Sequence, residues 1–516
     1  MLSPPTKMKQ LLNLALLSLG SATLTVGGAR SQCSLILTPV SPPSARSHCT
    51  AMTVWDRDGA GPLPPALVVA YDVPAPPQQR RQAIVAYDEA TNQWTYLARD
   101  VGTLVNALVP LSNGRLVAAG NFSSIDGVPA IDLAIFDGTT WSQIGSIQSQ
   151  AELHAVLEMP NGDLLVGGEF QAIGPHPTLP ATGLAAWNGT QWYSLGLPPS
   201  LGGTPTIRTL LLRPNGDLVV GGSWGGGWGI PREYIARFDG SQWHPFGPGF
   251  DAMVYDLGTL PNGDLCALGY FQFAGPLRVN GIARWDGSAW RAFGAGLQNS
   301  VGPGLGYRGL LLPDGDLLVS GMFSVAGNTP AAGLARWNGS SWQAPLPGQW
   351  GGGEMAWLHS GKVAMSTGGP TFLSFVQTSC PARVTSVASG CNGPGAAMTA
   401  FGSGLPWAGA TFHSHTDGVA ANGLAFAAYG FQSPAQPLTA LHPAGAPGCL
   451  LLSSAEVTWF APAAAGRAAS AISFPRATVF LGAQLHHQFL QIEFAASGGL
   501  LRVAGSNGLR LEPGAF

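Results

Sequence analysis

The chain has 516 residues, of which 46% are apolar and only 10% charged, and its formal net charge is −3. This length accommodates two or three domains, while 72 glycines and 42 prolines favour turns and short strands over long charged helices. The slightly acidic balance gives no basic field for phosphates, which excludes nucleic acid as an expected partner.

The N-terminus has the pattern of a secretory signal peptide. Lys7 and Lys9 precede the apolar segment 11–19, and small residues follow it up to Ala29. We therefore expect residues 1–32 to be a signal peptide and the mature protein to be secreted, periplasmic or at the outer cell surface. No later apolar stretch has the roughly 18 to 20 residues that span a bilayer, so the protein is not expected to be transmembrane.

The cysteines suggest disulfide bonds, because exported proteins fold in an oxidising environment. Five of the six lie outside the central repeats: Cys33, Cys49, Cys380, Cys391 and Cys449. We expect one short loop closed between Cys33 and Cys49 and one bridge within the C-terminal part. Cys266 lies in an apolar segment and is expected to be a buried small residue.

A repeat of about 50 residues occupies the centre of the chain. An aromatic residue, Asp or Asn, a turn and a tryptophan recur in order, for example from Phe136 to Trp141. The tryptophans are Trp94, Trp141, Trp192, Trp243, Trp290 and Trp342, at steps of 47, 51, 51, 47 and 52 residues. This spacing matches a four-stranded propeller blade. We expect each tryptophan to pack between blades, with tryptophan-lined ligand grooves as the alternative.

A second turn lies out of phase with the first, between apolar segments. It is an Asn-Gly or Asp-Gly pair whose glycines are Gly114, Gly162, Gly216, Gly263 and Gly315. Such pairs predict tight type I′ hairpins. A calcium site is disfavoured, because one turn supplies two or three of the six to eight oxygens that Ca²⁺ requires.

The repeats predict an all-β protein with a seven-bladed β-propeller over residues 33–377, six blades being the alternative. Five copies are clear, a degenerate one precedes them, and a shortened one covers residues 354–377. The shortened copy lacks a fourth strand. We expect residues 35–37 to supply that strand and to close the ring, which removes exposed sheet edges.

Segments 160–170 and 281–290 resemble the repeats of large secreted planctomycete and myxobacterial propeller proteins, which are distantly similar to Kelch and galactose-oxidase-like propellers. The resemblance implies a propeller fold and an extracytoplasmic location, and it implies no activity. Segments 445–449, 465–468, 485–491 and 506–510 resemble the C-terminal β-module of many planctomycete secreted proteins. This second likeness implies a small β-sandwich-like module over residues 378–516, used for attachment or assembly.

Four histidines of the C-terminal part are candidate metal ligands. His413 and His415 have metal-ligand spacing on a strand, and His486 and His487 add two more imidazoles. No carboxylate or cysteine pattern accompanies them. We expect exposed strand histidines, no metal and no cofactor.

The candidate binding residues come from aligning the repeats. Seven residues before each Asx-Gly turn the residue is polar and varies among the copies, whereas the following columns are mostly apolar. The column consists of Asn106, His154, Arg208, Tyr255 and Tyr307, with Glu354 near the matching place in the last copy. These strand ends are expected to converge on one mouth of the central channel, and a merely solvated rim is the alternative.

Two functions remain open at this stage. The first is a secreted or cell-surface, non-catalytic propeller that binds a polysaccharide or a cell-surface protein, which the low charge and many aromatics favour. The second is a glycan-active hydrolase or lyase with its site at the channel mouth. No catalytic residues can be assigned from the sequence, because it contains neither the ligand set of copper radical oxidases nor an assignable arginine triad of sialidases.

Overall fold

The computed structural model describes residues 35–40, 42, 48–58, 63–75, 80–145, 151–174, 179–196, 205–224, 234–300, 302–345, 353–366, 373–378, 382–387, 398–475, 483–495, 497 and 499–514. The expected signal peptide lies outside them. The chain separates into two compact units, with Leu35–Gln377 in one and Thr378–Phe516 in the other. Regular structure in the described residues is β strand apart from the short helix Leu438–Leu441. No described helix has the length and apolar character of a membrane span.

The first unit is built from antiparallel four-stranded groups that follow the chain from an inner to an outer strand, except that the last group takes its outer strand from the N-terminal end of the unit. The inner strands are Cys49–Trp55, Leu104–Pro110, Glu152–Glu158, Thr206–Leu212, Val254–Thr259, Leu305–Leu311 and Met355–Trp357. The second strands are Ala66–Asp72, Leu116–Asn121, Leu164–Glu169, Leu218–Ser223, Leu265–Gly269, Leu317–Met322 and Val363–Ser366. The second strands are almost wholly buried, as their apolar sequences require.

The remaining strands complete each group. The third strands are Gln82–Asp88, Leu133–Phe136, Leu184–Trp187, Ile235–Phe238, Ile282–Trp285, Leu334–Trp337 and Leu373–Thr378. The outer strands are Gln93–Val101, Trp141–Gln143, Trp192–Tyr193, Trp243–Pro245, Trp290–Ala292, Trp342–Gln343 and Leu35–Pro39. Short strands lie in the connecting loops: Ser124–Ile125, Val128–Pro129, Ala172–Ile173, Leu179–Pro180, Phe273–Ala274, Leu277–Arg278, Leu297–Asn299, Gly302–Pro303, Val325–Ala326 and Thr329–Pro330.

The inner strands form a closed ring. Each packs against the inner strand of the next group, and Met355–Trp357 packs against Cys49–Trp55. The N-terminal strand Leu35–Pro39 is the outer strand of the last group, beside Leu373–Thr378. The sequence predicted this closure, in which the N-terminal strand supplies the fourth strand of the last group.

The repeated tryptophans link neighbouring groups. The indole of Trp141 donates to the carbonyl of Leu97, in the preceding group, at 2.7 Å. Trp243, Trp290 and Trp342 make the equivalent bonds to Leu195, Phe246 and Phe293. These indoles are 4–8% exposed, so each combines apolar burial with a satisfied N–H group.

The Asx-Gly turns are not the type I′ turns that the sequence predicted. The Leu111 carbonyl accepts from the Gly114 amide at 3.0 Å, and the Leu111 amide donates to the Arg115 carbonyl at 2.8 Å. Gly114 has a positive φ of 80°, whereas Asn113 does not have positive φ. This is a three-residue loop with a left-handed glycine after a type I turn. The Asn113 side chain accepts from the Arg115 amide at 3.1 Å, which holds the loop in that form.

The second unit contains two larger sheets. One has the order Arg383–Val387, Gly508–Glu512, Leu485–Phe494, Gly423–Gly430 and Val457–Ala461, with Leu500–Gly505 beside Leu485–Phe494. The other has the order Thr399–Ser403, Thr411–Asp417, Arg467–Ser473 and Ala463–Ala464. A small third sheet pairs Gln436–Pro437 with Leu450–Leu451. Phe412, Tyr429 and Phe489 belong to one core between the two larger sheets.

The histidines of this unit do not gather. His487 is fully buried, with Nε2 2.8 Å from the Ser414 hydroxyl and Nδ1 3.0 Å from the Ala428 carbonyl. Burial lowers the pKa of His487 to about 4. His413, in contrast, is exposed. The expectation of exposed strand histidines is therefore wrong for His487, which joins the two sheets. Within the described ranges no three His, Cys, Asp or Glu side chains are grouped as a metal site.

The expected bridge between Cys33 and Cys49 is wrong. Cys49 is a free thiol whose Sγ lies 3.5 Å from the Ala51 carbonyl. Cys49 begins an inner strand, whereas Leu35, two residues after Cys33, begins an outer one. Cys449 is disulfide-bonded. Cys33, Cys380 and Cys391 lie outside the described residues, and Cys266 is buried, as predicted.

Candidate functional site

The six aligned polar side chains line a single cavity of about 270 Å³. They are Asn106, His154, Arg208, Tyr255, Tyr307 and Glu354. Cys49, Thr50, Arg308 and Gly353 complete its wall. Every wall residue belongs to an inner strand or immediately precedes one. The cavity therefore lies where the inner strands begin, at one end of the ring.

A β-bulge places most of these residues. The pairing of inner and second strands shifts register between Val105 and Ala107, which leaves Asn106 as the extra residue. His154, Arg208, Tyr255 and Tyr307 are the extra residues of the same shift in their own strands. A bulge leaves one residue unpaired and redirects its side chain. The repeat thus directs one variable side chain per strand to the cavity.

A column of glycines permits these bulges. Opposite the bulge, the second strand carries Gly120, Gly168, Gly222, Gly269 or Gly321. A Cβ atom on Gly222 would lie 2.1 Å from the Thr206 carbonyl oxygen. The other four would meet a backbone oxygen at 2.0–2.3 Å. Only glycine fits this close approach of two strands.

An ion-pair cluster forms one side of the cavity. The Arg308 Nε lies 2.9 Å from both carboxylate oxygens of Glu354. The Asp256 carboxylate accepts from the Gly309 amide at 2.8 Å and lies 3.9 Å from Arg308. The Glu354 charge raises the pKa of Arg308, while burial raises the pKa of Asp256. Glu354 is thereby held by a cation of its own and is not a free acid.

The cavity wall also carries a second arginine, Arg208, which has no carboxylate partner among the described residues. The Arg208 guanidinium lies 5.3 Å from the centroid of the Tyr255 ring, and Tyr255 meets Tyr307 edge to face at 5.4 Å. The Arg208 Nε is buried and has no hydrogen-bond partner within the described part of the chain. Burial, together with the Arg208 charge, lowers the pKa of His154 to about 4. His154 is therefore a neutral imidazole near pH 7.

Sequence reasoning missed Cys49, Thr50 and Arg308. Thr50 is the extra residue of a bulge between Cys49 and Ala51, so it is the first strand's member of the same column. The alignment could not find it, because Asp58-Gly59 follows Thr50 by eight residues instead of seven. The glycine column was also missed. Its signal was available, since each member follows the turn glycine by six residues.

A second cavity, of about 580 Å³, lies where the last group meets the first. Its wall includes Tyr87, Glu89, Trp94, Lys362 and Phe375. The Lys362 ammonium is 3.0 Å from Glu89 and 5.6 Å from the centre of the Phe375 ring. These contacts join the two ends of the ring. Trp94, unlike the later tryptophans of the repeat, is only half-buried.

Comparison with known proteins adds a family description. Residues 111–134 match the model of a β-propeller family described as a domain of unknown function, DUF5122. No curated protein matches the chain. Together with the closed ring of strands, the match identifies a β-propeller repeat protein.

Two solved structures are similar over most of the chain. The extracellular domain of a hybrid two-component system from B. thetaiotaomicron is 10% identical over 94% of this chain and 58% of its own, with a TM-score of 0.45. The extracellular domain of a one-component system from the same organism is 9% identical over 95% and 59%, with a TM-score of 0.41. The chain thus spans under two thirds of either protein.

Proposed function

We propose that the protein is a secreted or cell-surface binding protein that holds a carbohydrate in the cavity at the mouth of its propeller. The observation that carries the proposal is the column of bulges, which directs one polar or aromatic side chain from each strand to one place and varies it among four residue types. A fold that repeats its backbone but varies that one position builds a specific site on a constant frame.

The chemistry of the wall fits a sugar ligand. Tyr255 and Tyr307 offer aromatic surface, while Asn106, Arg208 and Thr50 offer donors and acceptors for hydroxyl groups. The volume of about 270 Å³ is at the small end for a small-molecule site, so the cavity suits one sugar unit of a longer chain. A protein ligand is the alternative that the low surface charge leaves open.

The architecture is part of the proposal. We take the first unit as a seven-bladed propeller over residues 33–377 and the second as a β-sandwich-like module over 378–516 that serves attachment or assembly. The sheet order and the shared core of the second unit support this division. A signal peptide at residues 1–32 would deliver both to the cell exterior.

A glycan lyase is the second candidate, and the Arg208 cation favours it over a hydrolase. A cation beside the carboxylate of a sugar increases the acidity of the neighbouring carbon, and His154 could accept that proton only as a weak base, because its pKa is lowered to about 4. A hydrolase would need two carboxyl groups free to act as acid and base, whereas Glu354 is bound to Arg308. Products from a bound glycan would establish this activity.

A glycan array tests the binding proposal. The wild-type protein is expected to bind a defined subset of glycans, and Tyr307→Ala is expected to abolish that binding. Tyr270→Ala is the matched control, because Tyr270 is 50% exposed and is not in the cavity wall. The bound glycans are then incubated with the protein and checked for shorter products. Binding that Tyr307→Ala leaves unchanged would contradict the proposal.

A further inference from the structure

We infer that the ligand of the channel-mouth cavity is an acidic sugar whose anionic group pairs with Arg208. The inference rests on the proposed function, since it names the class of carbohydrate that the same cavity accepts. The group is a carboxylate, as in a uronate, or a sulfate ester. A carboxylate offers two oxygens in a plane and a sulfate ester offers three around a tetrahedral sulfur, and either can accept two hydrogen bonds from a guanidinium.

The first support is the contrast between the two arginines of the wall. Arg308 is held by Glu354 through two contacts of 2.9 Å and has Asp256 nearby. Arg208 has no such acid within the described residues, and its guanidinium lies 5.3 Å from the centroid of the Tyr255 ring. No carboxylate among the described residues therefore pairs with the Arg208 charge.

The second support is the partial burial of the Arg208 guanidinium. Its Nε is buried and lacks a hydrogen-bond acceptor in the described part of the chain. An unsatisfied buried donor is costly, and a charged one more so. A ligand anion that accepts from Nε and a terminal nitrogen would satisfy the group with the bidentate geometry that arginine favours.

Within the described residues no carboxylate forms an ion pair with Arg208, while Glu152 lies 3.9 Å from the Nε2 of His154, the neighbouring member of the column. His154 stays neutral, so it neither neutralises a ligand anion nor repels the Arg208 charge. Glu354 is already paired with Arg308. Tyr255 presents its ring beneath the guanidinium, where a sugar ring attached to the anion can pack beside it.

Calorimetric titration at low salt with three matched trisaccharides tests the inference. The probes are trigalacturonate, neutral galactotriose and 6-sulfated galactotriose, which share a sugar framework and differ in charge. We expect at least one acidic probe to bind about tenfold or more tightly than the neutral one, which corresponds to about 1.4 kcal/mol. The acidic probe that binds better identifies carboxylate or sulfate as the source of the charge.

Three variants locate the preference. Arg208→Gln is expected to remove it, Arg208→Lys to retain a part, and Arg213→Gln to leave it unchanged. Arg213 directly follows the same inner strand but is not in the cavity wall. Arg213→Gln therefore removes the same positive charge as Arg208→Gln without altering the cavity. The thermal midpoint of each variant verifies folding, and Arg208→Lys keeps the test valid if Arg208→Gln unfolds.

The pKa of His154 reports the contact between the ligand anion and Arg208 independently of any affinity measurement. The Arg208 charge helps to lower the pKa of His154. An anion on Arg208 must therefore raise the pKa of His154, as followed by NMR titration of the imidazole with and without the acidic probe. No change in that pKa on saturation would overturn the inference.

The two proposals fail in distinguishable ways. Equal affinity for neutral and acidic probes, abolished by Tyr307→Ala, overturns the acidic-sugar inference and leaves the binding site in place. A preference that survives Arg208→Gln also overturns the inference. The acidic-sugar inference is also overturned, and the binding site stands, if none of the three probes binds while the array finds a neutral glycan whose binding depends on Tyr307. An array without any Tyr307-dependent ligand overturns both proposals.

Discussion

The Arg308 guanidinium and the Glu354 carboxylate form a two-point contact, with Nε 2.9 Å from each carboxylate oxygen. Arg308 lies on the inner strand Leu305–Leu311, and Glu354 directly precedes the inner strand Met355–Trp357. The pair therefore ties the shortened last group of strands to its neighbour at the cavity wall. It also sets the charge balance that distinguishes Arg308 from Arg208.

Glu354→Gln is expected to destabilise the first unit. The change leaves the Arg308 charge with only the more distant Asp256, at a site where both partners are at least two-thirds buried. We expect the free energy of unfolding to fall by about 1–3 kcal/mol, which is less than the loss of one partner of a fully buried pair would cost. Thermal unfolding followed by tryptophan fluorescence measures it. Asp100→Asn is the control, because the pair of Asp100 with Arg81 is half exposed. Its loss should lower the free energy of unfolding by less than about 1 kcal/mol. Equal shifts in the two variants would argue against this role.

Gly222→Ala is expected to disturb the bulge that carries Arg208. The new Cβ would meet the Thr206 carbonyl oxygen at 2.1 Å, so the two strands must separate. We expect a loss of about 1–3 kcal/mol or more in urea unfolding, together with weaker glycan binding. Gly258→Ala is the control, since a Cβ there meets nothing within 4 Å. Equal stability and equal glycan binding in Gly222→Ala and Gly258→Ala would contradict the role of the glycine column in forming the bulge.

The second unit is expected to lose stability in mild acid through His487. Burial lowers its pKa in the folded state to about 4, against an ordinary value of 6.5. The unfolded chain takes up the proton first, so stability falls as the pH drops from about 6.5 to about 4 and then levels off. The full shift corresponds to about 3 kcal/mol. Hydrogen exchange of peptides from Leu485–Phe494 should follow this course.

Two variants separate His487 from the other titrating groups. His487→Gln should flatten the pH dependence of exchange in Leu485–Phe494, whatever its effect on absolute stability. His413→Gln, at an exposed position, should retain the wild-type course. An unchanged slope in His487→Gln would show that another group governs the acid sensitivity of this unit.

Alkylation is expected to separate the cysteines into two classes. In denaturant without reductant, Cys49 and Cys266 should be modified, because both are free thiols. Cys449 should require reduction, because it is disulfide-bonded. In the folded protein Cys49 should react slowly, since burial raises the pKa of its thiol. Mass spectrometry of tryptic peptides reads each site. If Cys49 resisted alkylation in denaturant without reductant, it would be disulfide-bonded, as the sequence predicted, and this account of Cys49 would be wrong.

The sequence predicted the features that repeat. Fixed spacing indicated the blade-like unit and the column from Asn106 to Glu354, because both depend on position along the chain. The missing fourth strand of the last copy indicated closure by residues 35–37, which lie in the strand Leu35–Pro39. The same pattern did not reveal the bulges. A bulge is a difference of one residue between two strands, and it becomes visible only when their register is known.

Other errors have local causes. The turn at Asn113-Gly114 has one left-handed residue instead of two, because the Asn113 side chain stabilises the alternative loop. The pairing of Cys33 with Cys49 rests on their closeness in the chain, yet Leu35–Pro39 is the outer strand of the last group, whereas Cys49 begins the inner strand of the first group. His487 was taken as exposed, because a dipeptide of histidines does not show which one faces the core.

A crystal structure of the protein with trigalacturonate tests the central claim most directly. We expect ligand density in the cavity lined by Asn106, His154, Arg208, Tyr255, Tyr307 and Glu354. One anionic group should lie within hydrogen-bonding distance of the Arg208 guanidinium, about 2.7–2.9 Å for a charged pair. Density confined to the cavity beside Trp94, or an acidic probe that occupies neither cavity at saturating concentration, would contradict the account.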